Sequence, residues 1–214
     1  MSDRGSGSAS ESTRYFSRAF ATSPVMAIFR GSDPRATVDL CTKAWDLGIS
    51  LVEVPVQTPD ALPSLRAAIA AGRERGLAVG AGTVTTTDQL RQVHQDGVAF
   101  TVAPGLHPEV VEGSARLGLP HLPGVATATE IARARDLGHT WVKAFPASTL
   151  GPSWVSAQLA WNPSARFVAT GGVDAGNASV FLDAGCGAVA IGSALADPAQ
   201  LDRVSALVAG RDAG

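Results

Sequence analysis

Short runs of aliphatic and β-branched residues recur along the chain at intervals of roughly 20 to 28 residues, the spacing of repeated strand-helix units. They cover residues 24–29, 50–54, 77–80, 100–103, 119–122, 140–145, 166–170 and 187–191. Between them the apolar positions change to helical spacing. Ser32-Asp33-Pro34 supplies a cap and a first-turn proline, Val38, Cys41, Ala44 and Trp45 share one face, and Gly48 stops the helix. Thr58-Pro59 and His107-Pro108 start helices in the same way. Thr86 with Gln89 and Thr127 with Glu130 have capping-box spacing. Gly97, Gly118, Gly138 and Gly185 fall where helices must end before the next strand. Eight such units predict an α/β fold, a (β/α)8 TIM barrel with short loops. The count disfavours an open doubly wound sheet. An extra helix over 14–22 precedes the first strand and is placed to cover the barrel's bottom. Residues 14–214 then form a single domain, and the Ser/Gly-rich 1–13 reads as a disordered tail.

Composition narrows the function classes. The 214 residues carry 19 Asp+Glu against 17 Lys+Arg, a formal net charge of −2. That balance argues for a soluble globular unit and against an electrostatic binder of nucleic acid or of a membrane surface. The longest uncharged stretch, 144–165, contains Pro146, Pro152 and Pro163 and cannot span a bilayer. The N-terminus lacks the apolar region of a secretory signal, so a cytoplasmic location is expected. Cys41 and Cys186 read as reduced packing residues. The four histidines show no ligand spacing, and no metal is expected. Of the 17 basic residues only Lys43 and Lys143 are lysines. Lys43 lies on the far side of its helix from Cys41 and reads as surface, which leaves Lys143.

Two charges interrupt apolar strands. Period two sets Val52 and Val54 against the helices and turns Leu51 and Glu53 into the barrel, and in the same way Val142 and Ala144 face out while Lys143 faces in. The second and sixth of eight strands lie on opposite walls, so the two side chains converge. The plain alternative is a structural ion pair. Arginine makes the better buried pair, however, whereas a desolvated lysine can lose its proton and act as a nucleophile. Gly171-Gly172 after the seventh strand and Gly192-Ser193 after the eighth expose backbone amides where this fold binds phosphate. Gly80-Ala81-Gly82-Thr83 ends the third strand with a close-approach backbone and a hydroxyl.

At these residues the sequence resembles the 2-keto-3-deoxy-6-phosphogluconate / 4-hydroxy-2-oxoglutarate aldolase family of class I aldolases. The likeness runs in order through Ala27-Ile28-Phe29-Arg30-Gly31, Val52-Glu53-Val54-Pro55, Gly80-Ala81-Gly82-Thr83-Val84 and Ala103-Pro104-Gly105, then Pro123-Gly124-Val125-Ala126-Thr127, Val142-Lys143-Ala144-Phe145-Pro146, Thr170-Gly171-Gly172-Val173 and Ile191-Gly192-Ser193. It implies a barrel, commonly a homotrimer, with no metal or organic cofactor and a small phosphorylated keto-acid substrate. Lys143 matches the Schiff-base lysine and Glu53 the general acid/base. Arg30 and Thr83 match residues near the pyruvoyl group. Gly171, Gly172, Gly192 and Ser193 match the phosphate cradle, and Phe145, Pro104 and Thr170 the cavity lining.

One departure stands out. Four residues after the glutamate, where phosphogluconate-type members usually carry an arginine for the substrate carboxylate, this chain has Gln57. Together with Ala126-Thr-Ala-Thr-Glu130 and Phe145-Pro-Ala-Ser148, it looks more like the 2-keto-3-deoxy-6-phosphogalactonate branch. Carboxylate binding then falls on Arg30 and Thr83, with Gln57 beside them. A 4-hydroxy-2-oxoglutarate or broad pyruvate aldolase, a sugar-phosphate isomerase or decarboxylase, and a non-catalytic phospho-metabolite binding protein are the competing readings.

Overall fold

The computed structural model of the chain describes residues 10–31, 33–192, 195 and 197–209. Its strands are β1 (Val25–Ile28), β2 (Leu51–Pro55), β3 (Val79–Gly82), β4 (Phe100–Val102), β5 (His121–Leu122), β6 (Gly124–Val125), β7 (Trp141–Ala144), β8 (Arg166–Thr170) and β9 (Ala188–Ile191). They pair in parallel in the order β5-β4-β3-β2-β1-β9-β8-β7-β6. The two ends of that order are separated in the chain by Pro123 alone. β5 pairs with β4 (Thr101↔His121, Val102↔Leu122), and β6 pairs with β7 (Gly124↔Lys143, Val125↔Ala144). They are the lower and upper halves of one stave, so the sheet closes into a (β/α)8 barrel of eight staves.

The fifth strand, expected over 119–122, thus extends further and is interrupted. Proline has no N–H to give to a ladder. The Pro123 carbonyl still accepts from the Lys143 N–H at 2.9 Å and ties the two halves to their neighbour.

Helices α1 (Glu11–Thr22), α2 (Pro34–Asp46), α3 (Leu62–Arg75), α4 (Thr87–Asp96), α5 (Pro108–Arg116), α6 (Ala128–Asp136), α7 (Ala147–Leu150), α8 (Pro152–Trp161), α9 (Ala178–Asp183) and α10 (Leu201–Ala209) surround the staves. Three of their starts use the side-chain caps written in the sequence, whereas Thr58 and His107 make no side-chain cap and α3 begins only at Leu62. The Asp33 carboxylate accepts from the Ala36 N–H at 2.9 Å, and both expected capping boxes form. No described helix is long and apolar enough to cross a membrane.

Period-two alternation sorts the strand residues into two cores. Val25, Ala27, Val52, Val54, Val142, Ala144, Phe167 and Ala169 pack outward with the helices. Met26, Leu51, Phe100, Leu122, Trp141, Val168 and Ala188 fill the barrel, and Phe16 and Phe20 of α1 close it from below. Glu53 and Lys143 stand one inward position above Leu51 and Trp141, at the top of that filling.

Helix α1 also corrects the extent of the tail. Residues 1–9 lie outside the described residues, but Glu11, Ser12 and Thr13 belong to the helix. The serines and threonines taken for a disordered stretch are anchors. Ser10 caps the helix by accepting from the Thr13 N–H, Ser12 Oγ accepts from the His121 N–H at 3.0 Å, and Thr13 Oγ1 lies 3.2 Å from Thr140 Oγ1.

Candidate active site

A cavity of about 470 Å³ opens at the C-terminal ends of β1, β7, β8 and β9. Arg30, Lys143, Phe145, Thr170, Gly171, Gly172 and Gly192 all line it, seven of the residues singled out in the sequence. Lys143 rises from β7 between Val168 of β8 and Gly124 of β6 and is 4% exposed. Its Nζ lies 5.0 Å from the centre of the Phe145 ring, a cation–π distance. Among the described residues no ion pair within 4 Å joins it to Glu53. The two groups are close enough to feel each other's charge without being locked together.

Glu53, on β2, is 1% exposed and does not itself line the cavity, and its Oε2 has no hydrogen-bond partner. Burial pushes its carboxyl above the ordinary carboxylate range, while the charges of Lys143 and then Arg30 pull it back in part. A carboxyl in that position can carry a proton and give it up when a neighbouring charge changes. Arg30, just past β1, is exposed at the cavity mouth.

The opposite side of the cavity is backbone. Gly171 and Gly172 have φ of 92° and 70°, values that disfavour any residue with a side chain. A Cβ at Gly171 would come within 3.0 Å of the Phe145 ring, and one at Gly192 within 2.8 Å of the Ile28 carbonyl oxygen. Below them, Asn177 Nδ2 donates to the Gly172 carbonyl at 2.9 Å, and Asp174 Oδ1 accepts from the N–H groups of Gly176 and Asn177. These bonds fix the loop that presents the glycines. Ser193, the fourth member of the expected cradle, lies outside the described residues.

Three further residues take other places. Thr83 is half-buried at the exit of β3 with φ of 61°, strained for a β-branched residue. Pro104 is half-buried, and its carbonyl lies where a side chain at Gly124 would otherwise project. Gln57 corrects an expectation: it does not join Arg30 at the Lys143 cavity. It is exposed and lines two smaller hollows, of about 200 and 280 Å³, the first of which meets the main cavity at Phe29. The cause is local. Past the end of β2, the Val56 N–H donates to the Gly82 carbonyl at 2.8 Å and Gln89 Nε2 donates to the Val56 carbonyl at 3.3 Å. These bonds tie Val56 to β3 and α4 immediately before Gln57.

Ile28, Leu40, Asp174 and Ala190 also line the cavity and were not singled out. For Ile28 and Ala190 the signal was present, since each continues the inward period of its own strand.

A model of the KDPG and KHG aldolase family matches residues 17–207. The 2-dehydro-3-deoxy-6-phosphogalactonate aldolase of Escherichia coli (strain K12) is 35% identical over 173 residues, 80% of this chain and 84% of that protein. The 2-dehydro-3-deoxy-phosphogluconate aldolase of Treponema pallidum (strain Nichols) is 38% identical over 162 residues, 74% of each chain. Among solved structures, the KDPG aldolase of Legionella pneumophila, with pyruvate captured at low pH as a covalent carbinolamine intermediate, superposes with a TM-score of 0.76 at 26% identity. That superposition covers 90% of this chain and 95% of the other.

Proposed function

The chain belongs to the KDPG and KHG aldolase family, and on that premise we propose that it is a class I aldolase working through a Schiff base on Lys143. Its substrate is a 2-keto-3-deoxy-6-phospho sugar acid, and its products are pyruvate and glyceraldehyde 3-phosphate. The observation that carries this reading is the amine of Lys143 at the floor of an open cavity, held by an aromatic face, with a buried carboxyl nearby and no ion pair between them. The covalent pyruvate adduct of the Legionella relative supports it.

The neutral Lys143 amine attacks the C2 ketone to give a carbinolamine, and loss of water leaves a protonated imine. The C4 hydroxyl then gives up its proton and becomes the aldehyde. The electrons of the C3–C4 bond move into the imine to form an enamine, which takes a proton at C3, and water releases pyruvate. Glu53 handles these protons, directly or through one water. Its raised pKa suits a carboxyl that starts as an acid, donates to the departing water and returns as a base for the C4 hydroxyl. Arg30, the guanidinium at the cavity mouth whose charge reaches Glu53, takes the substrate carboxylate. The amides of Gly171, Gly172 and Gly192 take the phosphate. The assembly we expect is a homotrimer, checked by sedimentation.

Borohydride reduction in the presence of pyruvate tests the chemistry. A reduced adduct on Lys143 is expected, and the absence of any adduct at saturating pyruvate would overturn the Schiff base and favour a phosphate-binding isomerase, a decarboxylase or a non-catalytic protein. The two relatives are named for the two epimers. A coupled assay on both, compared through kcat/KM, assigns the preferred one.

A further inference from the structure

Strand β3 turns two glycines, Gly80 and Gly82, toward the barrel interior, and side chains from neighbouring staves fill the room they leave. A Cβ at Gly80 would lie 2.3 Å from the Phe100 ring. A Cβ at Gly82 would fall 1.7 Å from Glu53 Oε1, 2.5 Å from its Cδ and 2.8 Å from its Cγ, so all three nearest atoms belong to the glutamate. In the register of the sheet Glu53 stands opposite Gly80, and Pro55 opposite Gly82. The Glu53 side chain therefore climbs two residues toward the C-terminal rim and lays its carboxyl across the bare backbone of β3. With Oε2 unpartnered, the carboxyl is held by the shape of this wall more than by hydrogen bonds.

We propose that Gly82 is a positioning residue for the lyase reaction: the missing side chain at 82 is what allows the Glu53 carboxyl to reach the level of the Lys143 amine. The proposal rests on the roles given above to Lys143 and Glu53. Gly82 touches no reacting atom and acts through the glutamate alone. Gly80 is its internal contrast, a glycine on the same face of the same strand whose space serves core packing.

The test compares Gly82→Ala, Glu53→Gln, the double variant and Gly80→Ala. Gly82→Ala should lower kcat by about 100-fold or more, the range of a displaced general acid/base, with little change in KM. It should still be trapped on Lys143 by pyruvate and borohydride, and it should flatten the same limb of the pH–rate profile that Glu53→Gln removes. Adding Gly82→Ala to Glu53→Gln should cost no further activity, because the two act through one group. Gly80→Ala should lower the melting temperature more than kcat.

Should Gly82→Ala alone fail to fold, Gly82→Ala combined with Glu53→Ala removes the clashing atoms and should melt near Glu53→Ala. A double variant that stays unfolded means the new Cβ strikes something else and overturns the proposal. So does a Gly82→Ala enzyme with unchanged kcat and pH profile, or additive losses in the Gln double variant. A wild type that cleaves neither epimer and forms no adduct overturns the function and this proposal with it. An active wild type beside an unaffected Gly82→Ala overturns this proposal alone.

Discussion

The two ends of the barrel bury ionisable groups in opposite ways. At the C-terminal end Glu53 meets charges of the other sign, those of Lys143 and Arg30, beside a cavity of about 470 Å³. At the N-terminal end His121 and His139 meet each other, with ring centres 6.3 Å apart in an edge-on arrangement. His121 Nδ1 lies 2.9 Å from Thr101 Oγ1, and α1 is pinned across the same region through Ser12. Each end has buried polar atoms without partners, Glu53 Oε2 above and His121 Nε2 and His139 Nδ1 below. An orphaned polar atom therefore does not by itself distinguish a reactive site from a structural one. The neighbours do. Opposite charges and an opening keep a buried carboxyl able to change state, whereas burial lowers both imidazoles: His121 to about 3, helped by the charges of His139 and then His107, and His139 to about 4, against a hydrogen bond to the His121 backbone that raises it.

If the lower end serves stability and the upper end chemistry, a substitution below should separate the two readouts. Phe16 is fully buried, set edge-on to Phe100 at 5.8 Å and stacked with Phe20 at 6.1 Å. Phe16→Ala should lower unfolding free energy by about 3–5 kcal/mol, read from urea melts, and leave kcat per folded molecule unchanged at temperatures well below the transition. A kcat that falls with the stability would break the division, since it would mean that the packing of the plug sets the geometry of the site.

Acid should act on the lower end next. The folded pKa values of His121 and His139 lie below the ordinary 6.5, so the unfolded chain binds more protons in between. The stability these histidines contribute is complete above about pH 6.5 and is lost as pH falls from there through about 4 and 3, by up to about 1.4 kcal/mol per pH unit for each. Urea melts between pH 7 and pH 5 should show that slope, and His139→Gln should remove one share of it. Equal slopes in the two proteins would take His139 out of the account.

The upper end was the more legible in sequence. Glu53 and Lys143 betray themselves as charges in apolar strands, and a period of two is enough to turn them inward. Gly171, Gly172 and Gly192 follow from where strands end. What escaped depends on contacts between distant parts of the chain. Gln57 was placed by counting from Glu53, but the path of the chain past β2 is set by bonds from Val56 to Gly82 and Gln89. The start of α1 is fixed by Ser12 meeting His121, 109 residues away, so its composition alone reads as a tail. The division of the fifth stave at Pro123 becomes visible only once β4 and β7 are known to flank it. Gly82 looks like a turn residue until the lean of the Glu53 side chain is seen.

Glu53→Gln gives the sharpest form of the comparison, because its effects on activity and stability should run in opposite directions. Its kcat should fall by about 100-fold, with pyruvate still trapped on Lys143. Its stability should hardly change, and the sign of the small change follows from the pKa. The folded carboxyl titrates above its ordinary 4.5, so its contribution to stability is fully present below pH 4.5 and is lost as pH rises through the folded value. At pH 7 the raised pKa therefore opposes folding, and a neutral amide removes that opposition. The variant should therefore match the wild type in urea melts near pH 4 and equal or exceed it at pH 7. A variant less stable than the wild type at pH 7 would identify Glu53 as the partner of a structural ion pair with Lys143. The upper end would then be a second structural plug rather than a site where a carboxyl is kept poised.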